Sequence, residues 1–441
     1  MEIEQITSMM LSVTSRKYWQ ASPCVGRSNL GPPRPSPPVG LNHDDASATT
    51  TVSTKSTKTI AQHRMAKRNE ADAANPVAVP PMPWFGMDIG GTLTKLVYFE
   101  PTDVSSQDDT KTYEEASLLA NIKHYLIKNK AYGQSGHRDS HLEMRDVLID
   151  GRTGVLHFIR FPTAQMDSFV ELAKGKGMAN LASTVCATGG GAYKFEDLVE
   201  KEVGMKLHKF DELDSLMRGV EYMEHFNASE LFYYENPQEE ENYQKAVYQA
   251  GAIYPFILVN IGSGVSILSV KSPDEYRRVC GTSLGGGTFL GLCSLLTNCK
   301  DFEEALALAA KGDNKNVDRL VRDIYGGDYA KFGLQGDLVA SSFGHMNDSV
   351  RRANARPEDL AKATLTTITN NIGSLVKLCA QAESLERVIF VGNFLRINSI
   401  SMKMLASAMD FWSQGSTKAL FCEHEGYYGA VGCLLELMKT P

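Results

Sequence analysis

Two stretches of this chain, MDIGGTLTKLVYF at 87–99 and FILVNIGSGVSILSV at 256–270, follow one plan. Each runs an apolar strand into a polar residue, Asp88 or Asn260, then a glycine turn, then a second strand of alternating character. Glycine lets the backbone bend sharply and come close to a ligand, so the turn's N–H groups can face phosphate oxygens. One such hairpin is ordinary structure. Two of them restrict the chain to an α/β fold with two related halves, each presenting a phosphate-facing bend.

The length fits that division, because 441 residues exceed a single typical core. Ten of the seventeen prolines fall in residues 1–83, with GPPRPSPPVG at 31–40 and TTTVSTKSTKT at 49–59. Such a composition buries too little apolar surface to offset chain entropy, so 1–83 is expected to be a disordered leader. Two lobes are predicted after it, 84–255 and 256–441. The net charge of −7 argues against a general nucleic-acid binder. No apolar run reaches the ~18 residues of a membrane helix. The leader lacks the apolar core of a secretory signal, and Glu2 and Glu4 count against a mitochondrial presequence. A cytoplasmic protein is expected, with mitochondrial or nuclear targeting by the leader left open. Eight cysteines without a CxxC pair read as free thiols in a reducing compartment.

Hydrophobic spacing predicts a helix over 114–130, strands at 147–151 and 155–161, and a helix near 165–173. TVCATGGGAYKF, 184–195, reads as a buried strand, three glycines (Gly189, Gly190, Gly191) and a helix start. Residues 211–224 form a helix that Asp211 can cap. The acidic stretch 234–246 reads as a surface loop. GTSLGGGTFLGLCSLL opens a helix after Gly285, Gly286 and Gly287, whose N–H groups and dipole would face a ligand. RVIFVGNFLR runs a buried strand into a third turn at Gly392, and EGYYGAVGCLLELM closes the chain as a glycine-spaced helix.

These elements gather the makings of a phosphoryl-transfer site. Gly90, Gly91 and Gly262 supply the bends, and Thr92 adds a hydroxyl. Asp88 can hold Mg²⁺ through water, since that ion takes few protein oxygens and keeps part of its hydration shell. Lys95 offers positive charge to a transferring phosphoryl group. An alcohol acceptor needs a nearby carboxylate to take its proton. Glu212, in the first turn of the 211–224 helix and off its apolar face, is the candidate; its alternative role is a solvated acid complementing the helix dipole. No Walker-type GxxxxGK[ST] run is present. His345 and His424 lack partners at metal-ligand spacing and read as structural.

The order of the three turns resembles the actin-like ATPase and sugar kinase superfamily: two ribonuclease-H-like lobes with a nucleotide cleft between them. MDIGGT, CATGGGAYKF, DELD, VNIGSGVSI, GTSLGGGTFLGLCSLLT, LVRDIYGGDY, TITNNIGS and VGNFLR, in this order, resemble more closely the eukaryotic-type (type II) pantothenate kinases. The resemblance implies transfer of the ATP γ-phosphate to the primary hydroxyl of pantothenate, the first step of coenzyme A synthesis, with ATP and Mg²⁺ as cofactors. It implies a homodimer inhibited by acetyl-CoA. Glu212 matches the family's catalytic acid and Arg278 its substrate-binding arginine. By the same match Ser263 and Ser266 bind substrate or acetyl-CoA. Gly189 and Gly190 contact phosphate or substrate, Gly392 admits adenosine, and Arg396 lies along the nucleotide. Trp412 resembles a residue that reaches the neighbouring protomer's pantothenate pocket, and 370–380 would join the dimer contact. Two other readings stay open: a hexosamine or other small-molecule kinase of the same fold, and an inactive relative that binds acetyl-CoA as a sensor. Loss of the base would mark the second, whereas Glu212, Asp88 and Lys95 are all present.

Overall fold

The computed structural model describes residues 84–102, 124, 131–132, 136–175, 184–238, 243–249 and 253–438. The expected leader, Cys24 and all but His124 of the helix at 114–130 lie outside the described residues.

The first hairpin becomes β1 (Trp84–Ile89) and β2 (Leu93–Pro101), and β2 pairs antiparallel with β3 (Arg152–Pro162). On the other side of β1 lie β4 (Thr184–Thr188) and β5 (Lys206–Lys209), both parallel. The order is β3-β2-β1-β4-β5, with short strands added at the β3 edge. The second hairpin repeats this arrangement. β6 (Phe256–Ile261), β7 (Val265–Ser272) and β8 (Glu275–Thr282) are antiparallel, and β9 (Arg387–Val391) and β10 (Lys418–Cys422) run parallel to β6. The order β8-β7-β6-β9-β10 matches the first sheet strand for strand. Two sheets of this ribonuclease-H-like order form the two-lobed actin-like ATPase architecture. Central strands are covered on both faces and therefore read as continuous apolar runs, as in FILV and VIFV.

The stretch 234–246 departs from expectation. Leu231–Glu235 and Gln244–Val247 form an antiparallel pair that extends the second sheet beyond β10. The acidic composition of 236–242 masked this, but Leu231 and Phe232 are buried, and Phe232 packs on Phe421. Burial of the strand's apolar end overrides the polar segment beside it. The second sheet thus takes in strands from before residue 256.

Helices used below are α1 (Gly190–Lys194), α2 (Glu212–Phe226), α3 (Gly286–Thr297), α4 (Pro357–Glu383), α5 (Ser399–Ser413) and α6 (Tyr428–Leu437). α6 follows β10 of the second sheet yet packs on β1 and α2 of the first lobe. The sequence permits this through small residues: a Cβ at Gly432 would collide with Ser215 O on α2. Just before α6, His424 is buried. Its Nδ1 lies 2.6 Å from Glu230, its Nε2 lies 2.8 Å from Leu142 O, and the Tyr428 hydroxyl donates to the same Glu230. The structural reading of His424 agrees with this knot. The seven described cysteines are free thiols.

Candidate active site

The first turn carries an ion pair across the strands. Asp88 and Lys95 are register partners on β1 and β2, with Lys95 Nζ 3.0 Å from Asp88 Oδ2. Lys95 is buried, while Gly91 and Thr92 stand exposed at the bend. The second turn holds the equivalent pair Asn260 and Ser266, both uncharged. The two turns face one another, because a Cβ placed on Gly91 would lie 4.0 Å from Ser263 Oγ. Between them opens a cleft of about 980 Å³.

Glu212 reaches this cleft because α2 begins where β5 ends. Asp211 caps the helix, accepting from Leu213 N at 2.8 Å and Asp214 N at 3.1 Å. Both bonds go to its Oδ1, and Glu212, at the first helical position, lines the cleft. One turn on, Ser215 Oγ donates to Thr188 Oγ1 at 3.2 Å, and Thr188 donates to Phe210 O at 2.9 Å, which pins the helix start to β4. Burial pushes the Glu212 carboxyl above its usual range, and the charge of Asp88 adds to that. Lys95 pulls it down, Asp211 pushes up, and a hydrogen bond with Asn260 of the second turn favours the charged form.

The glycines divide into two kinds. Gly189 has φ +82°, and a Cβ there would stand 3.0 Å from Asp88 Oδ1, so its absence leaves that oxygen room for a ligand. Gly189, Gly190 and Gly392 all line the cleft. Gly285, Gly286 and Gly287 behave differently from expectation. Gly286 N donates to Gly262 O at 2.8 Å and Gly287 N to Ser263 O at 3.1 Å. Gly286 and Gly287 also line the cleft, but these amides are spent on locking α3 to the second turn and are not free for a ligand.

Of the residues predicted for the site, Asp88, Gly90, Gly91, Thr92, Lys95, Gly189, Gly190, Glu212, Gly262, Ser263, Ser266, Gly392 and Arg396 share the one cleft. Arg278 and Trp412 do not line it. Arg278 is exposed on β8 and reaches Ser266 Oγ at 3.4 Å, so it borders the cleft through that serine. Its neighbour Arg277 is also exposed and pairs with Glu383. Trp412 is half-buried on α5, where its ring packs against Gly373 of α4.

Sequence reasoning missed three groups. Arg160, on β3 opposite Lys95, lines the cleft, and its Nε donates to Asp139 at 3.0 Å. Burial and the nearby Arg160 charge lower the Arg396 pKa. Asn260 was visible in the motif, but its bond to Glu212 depends on the two lobes meeting. Glu425 is buried in the cleft wall at the chain's return to the first lobe. A lone acid in the apolar-rich EGYYGAVG was the available signal.

A family model described as Fumble matches residues 84–436. The chain belongs to the Fumble family. Pantothenate kinase 1 of Arabidopsis thaliana is 40% identical to this Fumble protein over 348 residues, covering 78% of this chain and 83% of that one. The 4′-phosphopantetheine phosphatase of Mus musculus is 36% identical over 355 residues, and pantothenate kinase 2 of Oryza sativa subsp. japonica 36% over 369. The Fumble chain spans only 40% and 38% of the length of these last two. Among solved structures, a glucokinase from Balamuthia mandrillaris in complex with glucose matches 88% of this chain and 99% of its own, at TM-score 0.39 and 11% identity. That likeness is too loose to carry an argument.

Proposed function

We propose that this Fumble protein is a pantothenate kinase, which transfers the γ-phosphate of ATP to the primary hydroxyl of pantothenate and yields 4′-phosphopantothenate. One observation carries the reading: a carboxylate with a raised pKa, Glu212, stands in the same cleft as the Asp88–Lys95 pair and both glycine turns. Glu212 accepts the hydroxyl proton as the new P–O bond forms, and a raised pKa brings it nearer the working pH. Lys95 supplies positive charge to the phosphoryl group in flight. Gly90, Gly91, Thr92 and Gly262 hold the phosphates, while Gly392 and Arg396 receive the nucleoside side. Ser263, Ser266 and Arg278 bind the acceptor, whose carboxylate suits a guanidinium and whose amide suits hydroxyls. Gly189 and Gly190 leave backbone close to the acceptor end.

Asp88 fits a magnesium ion held through water, since Oδ2 faces Lys95 and Oδ1 opens toward Gly189. Among the described residues no group of three or more His, Cys, Asp or Glu is placed to hold a metal. When bound, Mg²⁺ neutralises phosphate charge and orders the chain of phosphates.

The rest of the proposal follows the pantothenate kinase likeness. Acetyl-CoA contains pantothenate, so the acceptor pocket can admit it as an inhibitor. Trp412 and α4 residues 370–380 supply contacts to a second copy, making a homodimer in which the partners' pockets are linked. Among the described residues no helix is long and apolar enough to cross a membrane, and free thiols suit a cytoplasmic location. Residues 1–83 act as a leader, Glu212 belongs to the first lobe, and the strands at 231–247 join the second. Incubating the purified chain with Mg²⁺-ATP and pantothenate, with and without acetyl-CoA, tests this. A phosphorylated product of pantothenate, suppressed by acetyl-CoA, supports it. Binding of acetyl-CoA without any turnover would favour an inactive sensor instead, and turnover of N-acetylhexosamines alone would favour a sugar kinase.

A further inference from the structure

We infer that Glu425 is the positioning residue that holds the third turn in register with Lys95, and so sets the affinity for the nucleotide. The inference rests on the kinase reading above and adds a residue with no assigned role.

Gly392 ends β9 with φ +114°, a backbone conformation that L side chains rarely adopt, and a Cβ there would collide with Ile261 O on β6. The bend turns the Gly392 N–H out of the sheet. It donates to Glu425 Oε1 at 2.5 Å. The Gly426 N–H bonds the same carboxyl, so one side chain joins the turn after β9 to the segment leading into α6. Glu425 is 4% exposed and lines the cleft. The next residue, Gly426, stands among the parts that must agree for the proposed catalysis: a Cβ on it would lie 3.7 Å from Lys95 Cε, 4.0 Å from Arg396 Cδ and 4.0 Å from Asn393 Oδ1. Lys95 belongs to the first lobe, Asn393 and Arg396 to the second. Glu425 therefore sits at the point where the two lobes fix each other's ends of the cleft. Asn393 Oδ1, Arg396 Nε and Glu425 Oε2 are buried without a hydrogen-bond partner among the described residues. Polar atoms left this way are costly, and they mark a place organised for a ligand that completes them. Burial pushes the Glu425 carboxyl up to about 8, so its task here is reach and hydrogen bonding, not negative charge.

The distinguishing prediction is that reach matters and charge does not. Glu425→Gln keeps the length and an acceptor oxygen. Glu425→Asp keeps the acid but is one methylene too short for the Gly392 N–H. Glu425→Ala removes the acceptor altogether. We expect the glutamine variant to keep KM for ATP within about threefold, and the aspartate and alanine variants to raise it about tenfold, the scale of an orphaned buried donor. KM for pantothenate should stay within about twofold in all three, a split that general unfolding would not produce. Nucleotide affinity by calorimetric titration gives the same ranking without turnover. If alanine fails to fold, the glutamine–aspartate pair still decides. A mild aspartate with a severe glutamine variant, or equal rises in both KM values, overturns the inference. A wild type that binds ATP but phosphorylates nothing sinks the kinase reading and leaves the titration ranking as the test of Glu425.

Discussion

The two lobes share a strand order and a hairpin, yet their turns carry opposite chemistry at equivalent places. At the register position just before the first bend stands the ion pair Asp88–Lys95; before the second stands Asn260–Ser266, an amide facing a hydroxyl. The charged pair is largely buried in the cleft wall, with Lys95 and Asp88 side chains 8% and 18% exposed. The neutral turn reaches outward, Asn260 toward Glu212 and Ser266 toward Arg278. The contrast is physical. Moving a phosphoryl group requires fixed charge in a low-dielectric wall, where it acts most strongly. Orienting a base and an uncharged alcohol requires directional donors that add no competing charge. The repeated hairpin thus presents a charged pair in one lobe and an uncharged hydrogen-bonding pair in the other.

The comparison can be broken most decisively at Glu212, which borrows from both halves. Replacing Glu212 with Gln should lower kcat by about 10²–10⁴-fold with KM for ATP nearly unchanged, measured in a coupled ADP-release assay. Next comes the charged turn. Asp88→Asn, which gives the first turn the amide of the second, should cost about 10²-fold or more in kcat. An equal loss on Asn260→Asp would erase the distinction between the turns. Gly392→Ala should lower stability by more than the about 1–3 kcal/mol of backbone strain at φ +114°, because its Cβ would also collide with Ile261 O, read as a reduced denaturation midpoint. Ser266→Ala should raise KM for pantothenate about fivefold, the equivalent of roughly 1 kcal/mol, and leave ATP unaffected.

The smallest effect is also the most diagnostic, because it joins the lobes. In the proposed mechanism Glu212 works deprotonated, so kcat/KM should fall as pH drops through its pKa. Burial and Asp88 raise that pKa, placing the acid limb of the profile above the ordinary glutamate value. The Asn260 hydrogen bond favours the carboxylate. Asn260→Ala removes it, and the acid limb should move to higher pH. A limb that stays put would mean that the second turn does not speak to the base.

Much of this was legible in the residues. Glycine turns after apolar strands announce themselves: a period of two marks each strand, and at Gly392 the positive φ favours glycine. Asp211 as cap and Glu212 beside it could also be read, because capping depends on neighbours in the chain. The hairpin at 231–247 could not, since its stability comes from Phe232 meeting Phe421 on a strand far along the sequence. The glycines at 285–287 misled for a similar reason: a free helix N-terminus and one already bonded to Gly262 and Ser263 look alike in one dimension.

The amino-acid order alone determined the duplicated hairpins, the central apolar strands, the capped helix with its acid and the identity of the charged pair, because each of these rests on contacts within a few residues. Tertiary structure decided which groups share a cleft. It gave Glu212 its raised pKa through desolvation and Asp88, set Asn260 against that carboxylate, packed Trp412 of α5 against α4 and out of this chain's cleft wall, and buried Glu425 against the amide of Gly392. Those outcomes depend on desolvation and on distances between elements remote in sequence, and a local pattern encodes neither.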